Sequence, residues 1–139
     1  MKRLAIISTH PIQYNVPWFR RLAAQEGIEA CVFYTWHADE NAKYDPDFKR
    51  PIAWDIPLLN GYDYELVAPR PTIEQKTFWN LNSDITGPIE AWGADAVLVM
   101  GWNYRSHLSA MRYFSRRIPV YFRGDSTLLD AQNGIRRRL

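Results

Sequence analysis

A chain of 139 residues is enough for one domain of ordinary size, roughly 100–150 residues, and two full domains do not fit. With 47% hydrophobic and 23% charged residues it can bury enough apolar surface to offset chain entropy, which excludes a disordered polyelectrolyte. A net charge of +2 is too small for general polyanion binding, so no nucleic-acid partner is expected, although Arg136, Arg137 and Arg138 form a local basic cluster.

The single cysteine, Cys31, permits no intrachain disulfide and lies in an apolar run, where a buried, inert thiol is expected. The apolar residues 4–7 are too few for a signal sequence, and no run approaches the roughly 18 apolar residues of a membrane span. A cytoplasmic chain is therefore expected, with peripheral membrane contact left open through Arg20, Arg21 and the final arginines.

Residues 4–7 form a short β-branched run ending in Ser8, Thr9, His10 and Pro11, which predicts a strand buried on both faces. A helix follows, with Asn15 as its cap and Pro17 in its first turn. Trp18, Phe19, Leu22 and Ala23 form one face, and Arg20, Arg21, Gln25 and Glu26 the other, with Gly27 as the stop. Residues 28–34 read as a second strand.

Residues 35–61 show no sustained period and mix charges with Trp36, His37, Tyr44, Phe48 and Trp54. Connections beyond about 12–15 residues are commonly functional or disordered, and the aromatics point to a binding loop or lid. A third strand is predicted over 62–67, followed by an irregular stretch to Asn82. Ile85, Ile89 and Trp92 mark a short helix capped by Ser83 or Asp84 and closed by Gly93. Residues 96–100 are the clearest buried strand; Leu108, Met111 and Phe114 mark a third helix, and 119–123 a last strand. This alternation predicts an α/β, Rossmann-like three-layer domain with a mostly parallel sheet and right-handed crossovers.

Ligands of such sheets bind beyond the carboxyl ends of the strands, so the segments after strands are the candidate sites. Residues 8–14 place hydroxyls, an imidazole, an amide and a phenol there, through Ser8, Thr9, His10, Gln13 and Tyr14. They lack G-x-G-x-x-G, whose glycines let a pyrophosphate approach the backbone, which argues against dinucleotide binding. Gly101, Trp102, Asn103 and Tyr104 follow the most buried strand, where the glycine admits close approach and the indole can stack on a sugar. Arg123, Gly124, Asp125 and Ser126 follow the last strand and suit hydroxyl or phosphate recognition. The bland reading of each segment is a capped turn, a packed aromatic or an internal salt bridge. His10, His37 and His107 are far apart in sequence, so no metal site is expected, and there is neither a nucleophile elbow nor a P-loop.

Taken in order, Thr9-His10-Pro11-Ile12-Gln13-Tyr14, Trp54-Asp55-Ile56-Pro57-Leu58-Leu59 with Gly61-Tyr62, Gly101-Trp102 and Arg123-Gly124-Asp125-Ser126 resemble the N-terminal domain of GT4-type glycosyltransferases. The resemblance covers nearly the whole chain. It implies one half of a GT-B fold, with residues 1–139 as the acceptor-side domain and a separate C-terminal domain binding the donor. It further implies transfer with retention from a nucleotide-sugar to a carbohydrate, lipid-linked or small-molecule acceptor, with no metal and no cofactor, the donor phosphate acting as base.

By the same resemblance His10 and Gln13 lie at the cleft floor, and Thr9, Tyr14, Gly101, Trp102, Asn103 and Ser126 contribute to substrate binding. Asp125 binds a sugar hydroxyl and is named with His10 as catalytic, and Arg123 orients Asp125. The family's histidine after the last of these strands is absent. The family's glutamate pair and nucleotide site belong to a C-terminal domain that these 139 residues do not contain, so the chain alone is expected to be inactive. The alternative reading is a non-catalytic Rossmann-like module that binds a glycan or a nucleotide.

Overall fold

The structure is a computed structural model, and it describes residues 1–35, 43–45, 50–52, 56–67, 84–102 and 104–124, with backbone alone for 43–45 and 50–52. Five parallel strands form its sheet: β1 (Lys2–Ser8), β2 (Ile28–Tyr34), β5 (Asp63–Leu66), β6 (Ala96–Met100) and β7 (Val120–Arg123). Two further strands, β3 (Lys43–Asp45) and β4 (Arg50–Ile52), pair with each other antiparallel. They fall inside the long connection expected to be an irregular loop. A three-residue pair carries too little periodicity to be seen in sequence.

The sheet order is β5-β2-β1-β6-β7. From β1 the chain winds outward through β2 and β5, then returns to β6 on the other side of β1 and continues to β7. The carboxyl ends of β1 and β6 are therefore the point where the winding reverses, and such a reversal opens a crevice between the two loops that leave it. Backbone bonds continue the register beyond the strands, with Thr35 N–H donating to Ser8 O at 2.9 Å and Gly101 N–H to Arg123 O at 2.8 Å.

Helices cover both faces, giving the three-layer α/β Rossmann-like domain that the alternation predicts. One face buries Ile6, Val32 and Tyr34 against Val16 and Phe19 of α1 (Val16–Ala23). The other buries Ile7, Phe33, Val97 and Val99 against Ile89 of α2 (Thr86–Trp92) and Ala110 and Phe114 of α3 (Arg105–Phe114). Successive strand residues point to opposite faces, so Ile6 and Ile7 serve different cores. The continuous apolar run of β1 follows from this. Gly93 ends α2 in the left-handed region at φ 80°, where a side chain would be strained.

Two expectations for α1 change. Trp18 is not core but about half exposed, with the Arg123 guanidinium 4.8 Å from its ring centroid. Arg20 does not lie free on the solvent side, because it donates to Asn60 O at 2.7 Å and Pro57 O at 2.6 Å and so pins residues 57–60 to the helix. Beneath that loop the Tyr62 hydroxyl donates to Leu58 O, so the Tyr34 hydroxyl 2.8 Å away is the donor to Tyr62. Burial holds the Tyr34 phenol far from ionisation, with the bond to Tyr62 adding to the effect. Burial likewise pushes the Cys31 thiol up to about 12, reinforced by Asp63, Glu65 and Glu29, which makes it a packing residue. Among the described residues no helix is long and apolar enough to cross a membrane.

Candidate functional site

A cleft of about 250 Å³ opens at the winding reversal. Its wall is built from three sources. After β1 come Ser8, Thr9, His10, Ile12, Tyr14 and Asn15; after β6 come Met100, Gly101, Tyr104 and His107; and Arg123 ends β7. The parallel sheet is the reason these three segments meet, since it delivers every strand's C-terminal loop to one edge.

The first segment is held by short-range bonds. Thr9 Oγ1 and His10 Nδ1 pair at 2.9 Å, and Thr35 Oγ1 donates to Thr9 O at 3.3 Å, tying the loop to the end of β2. Asn15 occupies the cap position of α1, but its backbone is already helical and its side chain makes no capping bond. It is instead 4% exposed, lines the cleft and leaves Oδ1 without a hydrogen-bond partner. Asn is favoured at a cap by propensity, and it stands at the cap position the sequence predicts, but its side chain makes no capping bond.

The second segment begins at Gly101, whose φ of +80° lies where L side chains are strained, although a Cβ there would meet nothing within 4 Å. Backbone conformation, and not lack of space, is what favours glycine. The turn lets the Gly101 carbonyl meet His107 Nδ1 at 3.1 Å. A carbonyl only accepts, so Nδ1 carries the proton and Nε2 is left as a lone-pair acceptor in the neutral ring. His107 is fully buried, lies edge-on to Tyr104 with centroids 6.0 Å apart, and Nε2 has no partner. Burial lowers its pKa, opposed in part by the bond to Gly101, so the ring is neutral near pH 7.

The unfolded chain's imidazole titrates near about 6.5 and the folded one lower, so between the two values the unfolded state binds more protons. This contribution to stability is fully present above that window and is lost as pH falls through it. The urea midpoint is expected to drop between about pH 7.5 and about pH 5.5, and to drop less in His107→Asn. An equal drop in the two proteins would contradict this origin.

Arg123 is the one Asp, Glu, Lys or Arg among the described lining residues, and the N-termini of α1 and α3 begin at the same wall. Helix N-termini carry partial positive charge, so together with Arg123 they make this wall electropositive.

Of the residues singled out from sequence, Ser8, Thr9, His10, Tyr14, Gly101, Tyr104 and Arg123 line this one cleft. Gln13 and Trp102 are partly buried beside it but are not among the lining residues. Asn103, Asp125 and Ser126 lie outside the described residues, as do Trp54 and Asp55. Sequence reasoning missed Asn15 and His107 as site residues. For His107 a signal existed: with Ala110, Met111 and Phe114 it falls at i, i+3, i+4 and i+7, so an imidazole interrupts the apolar stripe of a helix that starts at a strand end. Comparison of the chain with protein-family models, with curated proteins and with solved structures finds no match.

Proposed function

We propose that this chain is the acceptor-side half of a retaining glycosyltransferase, and that the cleft at the ends of β1, β6 and β7 is one wall of its sugar-transfer site. The observation that carries this reading is the convergence of Thr9, His10, Tyr14, Gly101 and Arg123, drawn from three separate sequence motifs, on one cleft. Among the described residues its lining carries hydroxyl, imidazole and amide groups, and the loop after β1 lacks the G-x-G-x-x-G glycines that admit a pyrophosphate, which favours a sugar over a dinucleotide.

In the proposed reaction the bond between the sugar's anomeric carbon and the donor phosphate breaks, and a bond from that carbon to the acceptor oxygen forms. The acceptor proton passes to the leaving phosphate. The chain's part is to hold the acceptor in line and to keep positive charge near the developing phosphate through Arg123 and the two helix ends. In this reading His10, held through Nδ1 by Thr9 and lining the cleft, orients an acceptor hydroxyl. The role of Asp125 rests on the resemblance alone; unchanged transfer rates in Asp125→Asn of a two-domain enzyme would remove it. Peripheral attachment to a membrane is compatible with a lipid-linked acceptor, and flotation with anionic liposomes tests it.

Saturation-transfer NMR with methyl glycosides of glucose, galactose, mannose and N-acetylglucosamine, and separately with UDP and GDP, tests the reading. Saturation of at least one glycoside is expected. Binding of the nucleotides with no glycoside bound would favour a nucleotide-binding module, and no glycoside binding by the folded chain would defeat the proposal. The chain alone is expected to transfer no sugar from UDP- or GDP-sugars; measurable transfer would refute the division of labour between two domains.

A further inference from the structure

Outside the cleft, α1 carries a second hollow. It has a volume of about 340 Å³, and among the described residues it is lined by Pro17, Trp18, Arg21 and Leu22. Its surface is almost wholly apolar, so Arg21 contributes chiefly the methylenes of its stem. Trp18 stands half exposed there, although an indole is among the largest apolar groups a core can take up.

Two observations join this hollow to the cleft. Arg123 lines the cleft, and its guanidinium lies 4.8 Å from the ring centroid of Trp18, which lines the hollow. The parallel register explains the meeting: Arg123 stands beside Met100, whose side chain packs on the α1 side of the sheet, so the Arg123 side chain rises on that side as well. The second observation is direction. α1 begins at the cleft, where Tyr14 and Asn15 line the wall just before Val16. Pro17 and Trp18 therefore lie next to the cleft, and Arg21 and Leu22 follow on the same face, one turn or about 6 Å further from it.

Size argues for what fills the hollow. Pro17, Trp18, Arg21 and Leu22 are few against the roughly 20–30 residues a side of a stable protein interface, so a second copy of the chain would find little to hold. Small-molecule sites measure roughly 300–1,000 Å³, and the cleft at about 250 Å³ and the hollow at about 340 Å³ each lie near the small end of that range. A single ligand that is polar at one end and apolar at the other uses both. We infer that the hollow is an aglycone subsite: the acceptor carries an alkyl chain, its sugar lies in the cleft, and the chain crosses the pair of Trp18 and Arg123 to lie along Pro17, Trp18 and Leu22. This inference rests on the sugar-cleft reading above and narrows its acceptor to an amphiphilic glycoside.

Titration of the wild-type chain with methyl, butyl, hexyl, octyl and decyl glycosides of the sugar that binds the cleft, each below its micelle concentration, tests the subsite. Burial of a methylene raises affinity about fourfold when complete and about twofold when one side of the chain stays in water. Octyl glycoside is therefore expected to bind about a hundredfold more tightly than methyl glycoside, with little further gain for decyl as the chain runs past Leu22. Octanol, which has the chain and no sugar, is expected to bind at least about tenfold more weakly than octyl glycoside. Leu22→Asn, which makes the far end of the hollow polar, is expected to narrow the ratio of octyl to methyl affinity to about tenfold. An octyl glycoside with a diazirine at its chain end is expected to label residues 17–22 of the wild type.

If no glycoside of any chain length binds, the sugar-cleft reading falls and the inference with it. If methyl glycoside binds but affinity stays flat up to octyl, or the label lands elsewhere in the chain, the cleft reading stands and the aglycone subsite is overturned. Octanol binding as tightly as octyl glycoside would overturn the link between hollow and cleft, and an undiminished octyl gain in folded Leu22→Asn would overturn the placement of the chain. A flat series from a chain that sediments as a dimer would give the hollow to a second copy instead. The chain-length series and the label need no variant, so a substitution that prevents folding leaves the inference decided by the wild type.

Discussion

Phe33→Ala is expected to destabilise the fold by about 3–5 kcal/mol, a large part of the roughly 5–15 kcal/mol that holds a domain of this kind together. Phe33 is fully buried in β2, which lies between β1 and β5 in the sheet. Its ring meets Trp92 of α2 edge-on, with centroids 5.8 Å apart and planes 69° apart, within the core it shares with Ile7, Ile89, Val97 and Phe114. Truncation removes the transfer energy of the ring and leaves a space that strands and helices on all sides cannot fill. Phe33→Leu, which retains part of that volume, is expected to cost less. Urea unfolding followed by circular dichroism measures both; a loss below about 1 kcal/mol for the alanine variant would mean that this core relaxes far more than a close-packed one should.

Arg123→Ala is expected to leave the fold nearly unchanged and to weaken glycoside binding by about tenfold to a hundredfold. Its carbonyl accepts from Gly101 N–H, a backbone bond that ties β7 to the end of β6 and that alanine keeps. What alanine removes is the guanidinium, which lies over the Trp18 ring and lines the cleft. Hydrogen bonds to a charged group contribute about 1.5–3 kcal/mol, which corresponds to that range of affinity. Arg123→Lys keeps the charge and loses the planar fork and its stacking on Trp18, so an intermediate affinity is expected. Titration of the three proteins with the tightest-binding methyl glycoside, with thermal unfolding as a control, provides the measurement. Equal affinities for wild type and alanine variant would remove Arg123 from the site.

The two predictions draw on different parts of the sequence. Phe33 belongs to residues 28–34, whose largely apolar character marks a strand, so its place in the sheet is legible without coordinates, while its burial on the α2 side is decided by the fold. The same holds for residues 96–100 and for the stop at Gly93. The β3–β4 pair was not legible, because three residues per strand are too few for a period to emerge. Nor was the position of Trp18, since helical spacing places it beside Phe19 without saying where the apolar stripe ends. It stands half exposed with the guanidinium of Arg123 over its ring, and Arg123 is more than a hundred residues away in the chain.

For the cleft, the sequence by itself determined which segments follow strands and which chemical groups those segments carry, because both depend on local pattern and residue type. Thr9, His10, Tyr14, Gly101 and Arg123 could be named on that ground. What only the tertiary structure decided is that the strand order reverses between β1 and β6, which brings residues 8–15, 100–102, 104–107 and 123 to one edge. It also decided the tautomer of His107, through a carbonyl six residues earlier, and the release of Asn15 from capping. These depend on where chain segments meet in space and on which polar atoms find partners there. Spacing along the chain does not encode that balance.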